Sequence, residues 1–171
     1  MLWWRRLQRP AYRTAGNFKD GIMAENNSTP ITNPSAFPIG APNDAYARYF
    51  IGQSYLAPLV SGKEVNVSNV TFEAGCRNNW HIHHKACQIL IAVGGRGYYQ
   101  EWGKEPVELN PGDVVYVAPE TKHWHGAAPD ADFAHIAIMN VVDGASNEWL
   151  EPVEAEYDAL RRTGEAPKSM D

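Results

Sequence analysis

The chain has 171 residues, 44% of them hydrophobic and 20% charged, with a net charge of −5 at pH 7. Those values describe one soluble globular domain, with or without extensions, long enough to bury a core without disulfides or a structural metal. They speak against nucleic acid as a partner, and no stretch is long and apolar enough to span a membrane.

In chain order, residues 1–22 come first and carry Arg5, Arg6, Arg9, Arg13 and Lys19 against Asp20. This basic segment is +4, so the remainder is −9. No apolar run follows the arginines, as a secretory signal requires. A disordered extension, or chain ahead of a natural start at Met23, is expected, with a surface helix on anionic lipid left open. Residues 23–44 are polar and hold Pro30, Pro34, Pro38 and Pro42. Proline fixes φ and removes a donor, so an extended arm is expected.

Residues 45–145 read as all-β. "EVNVSNVTFEAG" alternates apolar and small polar residues and ends in glycine. "ACQILIAVGGRGYYQEWG" reads as strand, Gly-rich turn and strand, and "VELNPGDVVYVA" carries a Pro-Gly-Asp turn before another. "DFAHIAIMNVV" supplies one more. Short strands about ten residues apart, with turn residues between, predict a sandwich or barrel. Residues 146–171 are expected to be a helical tail. Pro152 stands near its start, Val153, Tyr157 and Leu160 lie at helical spacing, and Trp149 and Leu150 dock it. It is read as packing, without chemistry.

Cys76 and Cys87 belong to no CxxC or zinc-finger spacing. Two reduced thiols in a cytoplasmic protein are expected.

Chemistry concentrates in "NNWHIHHKACQ" and "TKHWHGAA". Residues i and i+2 of a strand share a face. His81 and His83 therefore face one way and His84 the other. His123 and His125 form a second pair, with Trp124 turned away. A single HxH is more often surface than ligand. Two pairs about forty residues apart in β-rich context point instead to one metal site, and neutral imidazole suits Mn, Fe, Ni, Cu or Zn.

The spacing resembles that of the cupins, which fold as a small jelly-roll β-barrel. Gly75, five residues, His81-Ile82-His83, four residues, Gln88, six residues and Gly95 match the first cupin motif. The departure is Gln88, where an acidic ligand is usual. Gly112-Asp113, "VVYVA", Pro119 and His123 match the second motif. There Thr121 stands for a glycine, the gap from Pro119 to His123 is one residue short, and Ala127 replaces an asparagine. The resemblance covers about residues 45–150 and implies His81, His83, Gln88 and His123 as metal ligands. His84 and Lys85 fall in the turn as solvated residues. "TKHWHGAAPDADFAHIAI" further resembles the manganese-dependent cupin hydroxynitrile lyases among small single-domain bacterial cupins. That likeness implies His125 and His135 as catalytic groups and manganese as the ion, with Fe, Ni or Zn as other candidates. Strand alternation adds Ser68, Val70, Phe72, Phe133 and Met139 as the substrate pocket wall.

The expectation is an all-β cupin barrel with an extended N-terminal arm and a short C-terminal helix. It acts as a metal-dependent lyase on a small carbonyl-type molecule, with cyanohydrin cleavage as the implied reaction. A metal-dependent dioxygenase and a non-enzymatic small-molecule-binding cupin stay open as alternatives. A homodimer through sheet edges is expected, with residues 24–50 contributing.

Overall fold

A computed structural model describes residues 31–164. The strands in chain order are β1 (Ala41–Pro42), β2 (Phe50–Ile51), β3 (Ser54–Ser61), β4 (Val65–Phe72), β5 (Arg77–Asn78), β6 (His81–His84) and β7 (Gln88–Gly95). Then come β8 (Gly97–Glu101), β9 (Val107–Leu109), β10 (Val114–Val117), β11 (His123–Ala127), β12 (Phe133–Asn140) and β13 (Ser146–Trp149). A 3-10 helix at Asp44–Tyr49 and the helix α1 (Ala155–Gly164) complete the set. Residues 1–22 lie outside the described residues.

Every pairing is antiparallel. One sheet runs β1-β3-β4-β12-β7-β10. The other is organised on β11, which pairs β8 along one side and β6 and β5 along the other. β13 adds to β6, β2 to β5 and β9 to β8. This is the expected jelly roll.

β7 and β8 do not form a hairpin: the chain changes sheet at Arg96. The corner needs glycine. Gly95 has φ +69°, and a Cβ there would stand 1.8 Å from the Asp132 carbonyl oxygen. Only a residue without Cβ fits such an approach. The Pro-Gly-Asp turn forms as expected, with the Asn110 N–H donating to Asp113 Oδ2 at 2.8 Å.

Between the sheets lies a core of Phe72, Leu90, Ala92, Tyr99, Leu109, Val117 and Phe133. A second cluster, Trp80, Trp124, Val153 and Tyr157, sits beneath the C-terminal helix. Trp124 turns away from His123 and His125 because successive side chains alternate. The Tyr157 hydroxyl donates to the Ala127 carbonyl at 2.7 Å, fastening α1 to β11.

One expectation is corrected. The tail does not begin as helix: Ser146–Trp149 is a strand paired with β6, and α1 starts only at Ala155. The Pro-rich arm, where described, lies on its own barrel. β1 pairs β3, the Asn69 side-chain amide donates to the Pro38 carbonyl at 2.9 Å, and Pro34 packs on Gly94.

Candidate metal centre

β6 and β11 place His81 and His123 directly opposite each other. With His83, two residues along β6, each offers a ring nitrogen, and the three nitrogens lie within 4.8 Å of one another. All three side chains are buried.

Each Nδ1 is already committed. His81 Nδ1 lies 3.0 Å from the Asn79 carbonyl oxygen and His123 Nδ1 lies 2.9 Å from that of Thr121. His83 Nδ1 lies 2.7 Å from Asn147 Oδ1. A carbonyl oxygen can only accept, so each Nδ1 carries the proton and each Nε2 presents a lone pair. His83 Nε2, His123 Nε2 and Gln88 Oε1 are buried with no hydrogen-bond partner among the described residues. Each unpaired buried acceptor costs about 1–3 kcal/mol. Converging acceptors with no donor are what a cation satisfies, and three imidazole nitrogens with one amide oxygen fit a divalent transition metal.

The electrostatics agree. Burial pushes His81 well below the usual imidazole range, and like-charged His123 and His83 add to it. Burial holds His83 down against the opposing effect of Asn147 and Gln88. Gln88 stands close enough to His83 to favour its charged form, yet its Oε1 makes no well-formed hydrogen bond. Burial lowers His123 to about 4. The imidazoles are therefore neutral near pH 7, as ligation requires.

His125 and His135 form a second pair beside the first. Their ring centroids are 4.9 Å apart and their planes nearly perpendicular, at 88°. His125 is 5.6 Å from the His81 ring. His135 is wholly buried against Phe72 and Phe133, and among the described residues neither ring nitrogen makes a well-formed hydrogen bond, although the Ile136 backbone is close enough to favour the charged ring. Burial holds His125 well below its ordinary value and His135 at about 4.

Both groups open on a cavity of about 170 Å³. Of the expected wall, Ser68, Val70, Phe72 and Met139 line it. Phe133 does not: it belongs to the core one layer deeper, stacked 6.4 Å from Phe72. β12 stays in register with β4 throughout, so Phe133 keeps the inward face of His135 and Met139 but lies in the core beyond the cavity. His84 also differs from expectation. It ends β6 rather than lying in the turn, and its ring bridges Glu120 at 2.5 Å and Glu148 at 2.9 Å.

Three residues at the site escaped the sequence reading. Asn147 holds His83, Trp149 stacks on His81 with centroids 4.8 Å apart, and Asn78 contacts His125. Asn147 and Trp149 are an i, i+2 pair in "SNEW". That alternation was the available signal, masked by the helix that follows.

A sequence profile of the cupin domain matches residues 68–139. A (R)-mandelonitrile lyase from Granulicella tundricola is 41% identical over 113 residues, covering 64% of this chain and 86% of the relative. The chain belongs to the cupin family. A crystal structure of a cupin-like protein from Thermotoga maritima is 38% identical, with a TM-score of 0.68 over 74% of this cupin and 96% of that chain. A cupin 2 conserved barrel domain protein from Rhodopseudomonas palustris shares the fold. It is 17% identical, with a TM-score of 0.54 over 71% of this cupin and 82% of its own chain.

Proposed function

We propose that this cupin is a metal-dependent lyase of hydroxynitrile-lyase type, cleaving a small cyanohydrin to an aldehyde and hydrogen cyanide. The observation that carries the reading is the His125–His135 pair, two neutral imidazoles at 4.9 Å beside the three-histidine cluster. The 41% identity to a protein named (R)-mandelonitrile lyase supports it.

A divalent cation, proposed as manganese with iron, nickel and zinc as the other candidates, would be held by His81, His83, Gln88 and His123 and supplies Lewis acidity toward a substrate oxygen. Gln88 brings no charge to that set, whereas a carboxylate would offset part of the ion's. His125 or His135 accepts the substrate hydroxyl proton, since burial keeps both unprotonated. The carbon–carbon bond then breaks, its electron pair leaves on cyanide, and the imidazolium returns its proton to give hydrogen cyanide. Atoms and charge balance without a further reactant. Val70, Phe72 and Trp149 exclude water from the reacting end. The cavity compares with one of about 150 Å³ that holds benzene, so a single aryl ring or a short alkyl chain suits it.

The test is hydrogen cyanide release from mandelonitrile and from an aliphatic cyanohydrin, in air and anaerobically. Equal turnover in both atmospheres is expected. Absence of turnover sinks the lyase reading, and a requirement for dioxygen favours a dioxygenase. A homodimer in the cytoplasm belongs to the same proposal. β10 is an edge strand that exposes Val114 and Tyr116, and light scattering reads the mass. No helix among the described residues is long and apolar enough to cross a membrane.

A further inference from the structure

We propose that the cavity continues into a second subsite, a cleft that takes a neutral, oxygen-bearing substituent of the substrate. The cleft has a volume of about 310 Å³ and runs along the turn from Val141 to Ala145, between β12 and β13. The Ala145 N–H closes that turn by donating to the Val142 carbonyl at 3.1 Å. Asn66, Met139 and Asn147 line both the cleft and the cavity, so the two meet at these side chains.

Strand register places that junction beside the histidine cluster. Met139 lies opposite Asn66 on one side and opposite Gln88 on the other. Asn147 lies opposite His83. Two of the three junction residues are thus one strand spacing, about 4.8 Å, from a proposed metal ligand. A molecule whose oxygen faces the cluster can carry its substituent past Met139 into the cleft. The cavity, at about 170 Å³, is filled by one aryl ring, so a longer substituent must leave it.

The lining selects the substituent. Among the described residues no ionisable side chain lines the cleft, so a charged group would find no counter-charge there. Its polar side chains are Asn66, Asn140, Ser146 and Asn147. Two of them are oriented by bonds already made. Asn140 Oδ1 accepts the Cys87 N–H at 2.8 Å, and Asn147 Oδ1 accepts from His83 Nδ1 at 2.7 Å. In each amide the oxygen is committed, and the NH2 makes no bond to another described residue. An amide nitrogen only donates. The cleft therefore offers donors that a ligand oxygen satisfies, while Ala86, Val141 and Val142 supply apolar contact. Hydroxyl or ether oxygens spaced by methylenes match both features.

The inference rests on the proposed lyase reading for the reacting end only, and binding without turnover keeps the two apart. Full-length, metal-loaded protein is titrated by calorimetry with benzyl alcohol and with derivatives substituted at the meta or para position. One set carries a diethylene glycol ether chain, the other a heptyl chain of the same length. The better glycol ether is expected to bind about 10-fold more tightly than benzyl alcohol, the order given by one or two net hydrogen bonds. Asn66→Leu combined with Ser146→Ala should lower that ratio several-fold without lowering the ratio for the heptyl compound. Ala145→Trp, which fills the cleft, should lower both ratios. Glycol ethers that bind no more tightly than benzyl alcohol overturn the proposal, and so does a gain that survives either change. Mandelonitrile turnover is measured on the same protein. If it fails while the glycol preference holds, the subsite stands and the lyase reading falls.

Discussion

The His83 ring donates from Nδ1 to the side-chain oxygen of Asn147 at 2.7 Å, so the C-terminal strand β13 holds a residue of the histidine cluster on β6. His81 and His123 rest instead on the carbonyls of Asn79 and Thr121, which no substitution removes. His83 is thus the one of the three whose support can be mutated. Removing such an orienting partner typically costs about 10–100-fold in metal affinity. Asn147→Ala should weaken metal binding by that order with the β-sheet spectrum unchanged, and Asn147→Asp should restore it. Chelator competition measures both. An Asn147→Ala protein with wild-type affinity would show that His83 needs no such support.

Metal analysis of protein from rich medium should find about one transition ion per chain. His81→Ala should carry far less, because His81 belongs to the nitrogen triad. The barrel should survive, since its core of Phe72, Leu90, Tyr99 and Phe133 does not include His81. Circular dichroism separates loss of metal from loss of fold. A wild type without stoichiometric metal would remove the basis of the proposed chemistry.

His135 offers a sharper separation of stability from function. Among the described residues both its ring nitrogens are buried without a well-formed hydrogen bond, against two phenylalanines. Replacing an unsatisfied buried polar group by an apolar one of similar size is neutral or stabilising. His135→Leu should therefore keep or raise Tm and retain metal. Turnover should fall by about 100-fold or more if His135 moves a proton. A large drop in Tm would mean that the ring has a structural partner in the protein as it exists in solution.

The pH dependence has a definite sign. His135 has a folded pKa of about 4 against an ordinary value of 6.5. Between those values the unfolded chain binds the extra proton, so stability is complete above 6.5 and falls as pH drops toward 4. His81, His83, His123 and His125 are shifted the same way by burial. Each such group contributes up to about 1.4 kcal/mol per pH unit within its window. His84 runs opposite: Glu120 and Glu148 raise it, so its contribution is present at low pH and lost as pH rises. It is exposed, and solvent screens it. The urea midpoint of chelated protein should therefore rise from pH 5 to pH 7.5. A flat profile would mean that the cluster is solvated without its metal.

Most of the site was legible because strand alternation is a local rule. Two i, i+2 histidine pairs set His81, His83, His123 and His125 to the interior, and the cupin spacing added Gln88. The rule failed where the backbone is irregular or a pairing is distant. Phe133 faces inward as alternation requires, but how far along β12 the cavity extends is not a local property, and Phe133 lies past its end in the core. Asn147 and Trp149 were read as the lead into a helix, since nothing local says that "SNEW" pairs with "HIHH" more than sixty residues earlier. Nothing local marks Asn78, whose side-chain oxygen accepts from the backbone of His125, 47 residues away.

By itself the sequence determined the period of the strands, the glycine corners, the two-sheet class and the inward set of histidines, all consequences of side-chain direction and turn chemistry within a few residues. Only the tertiary structure decided which lone pairs meet and which imidazole nitrogens carry hydrogen. It also decided that the C-terminal segment supports the centre it was thought merely to flank. Those outcomes depend on register between strands far apart in the chain, where a shift of one residue sends a side chain to the other face.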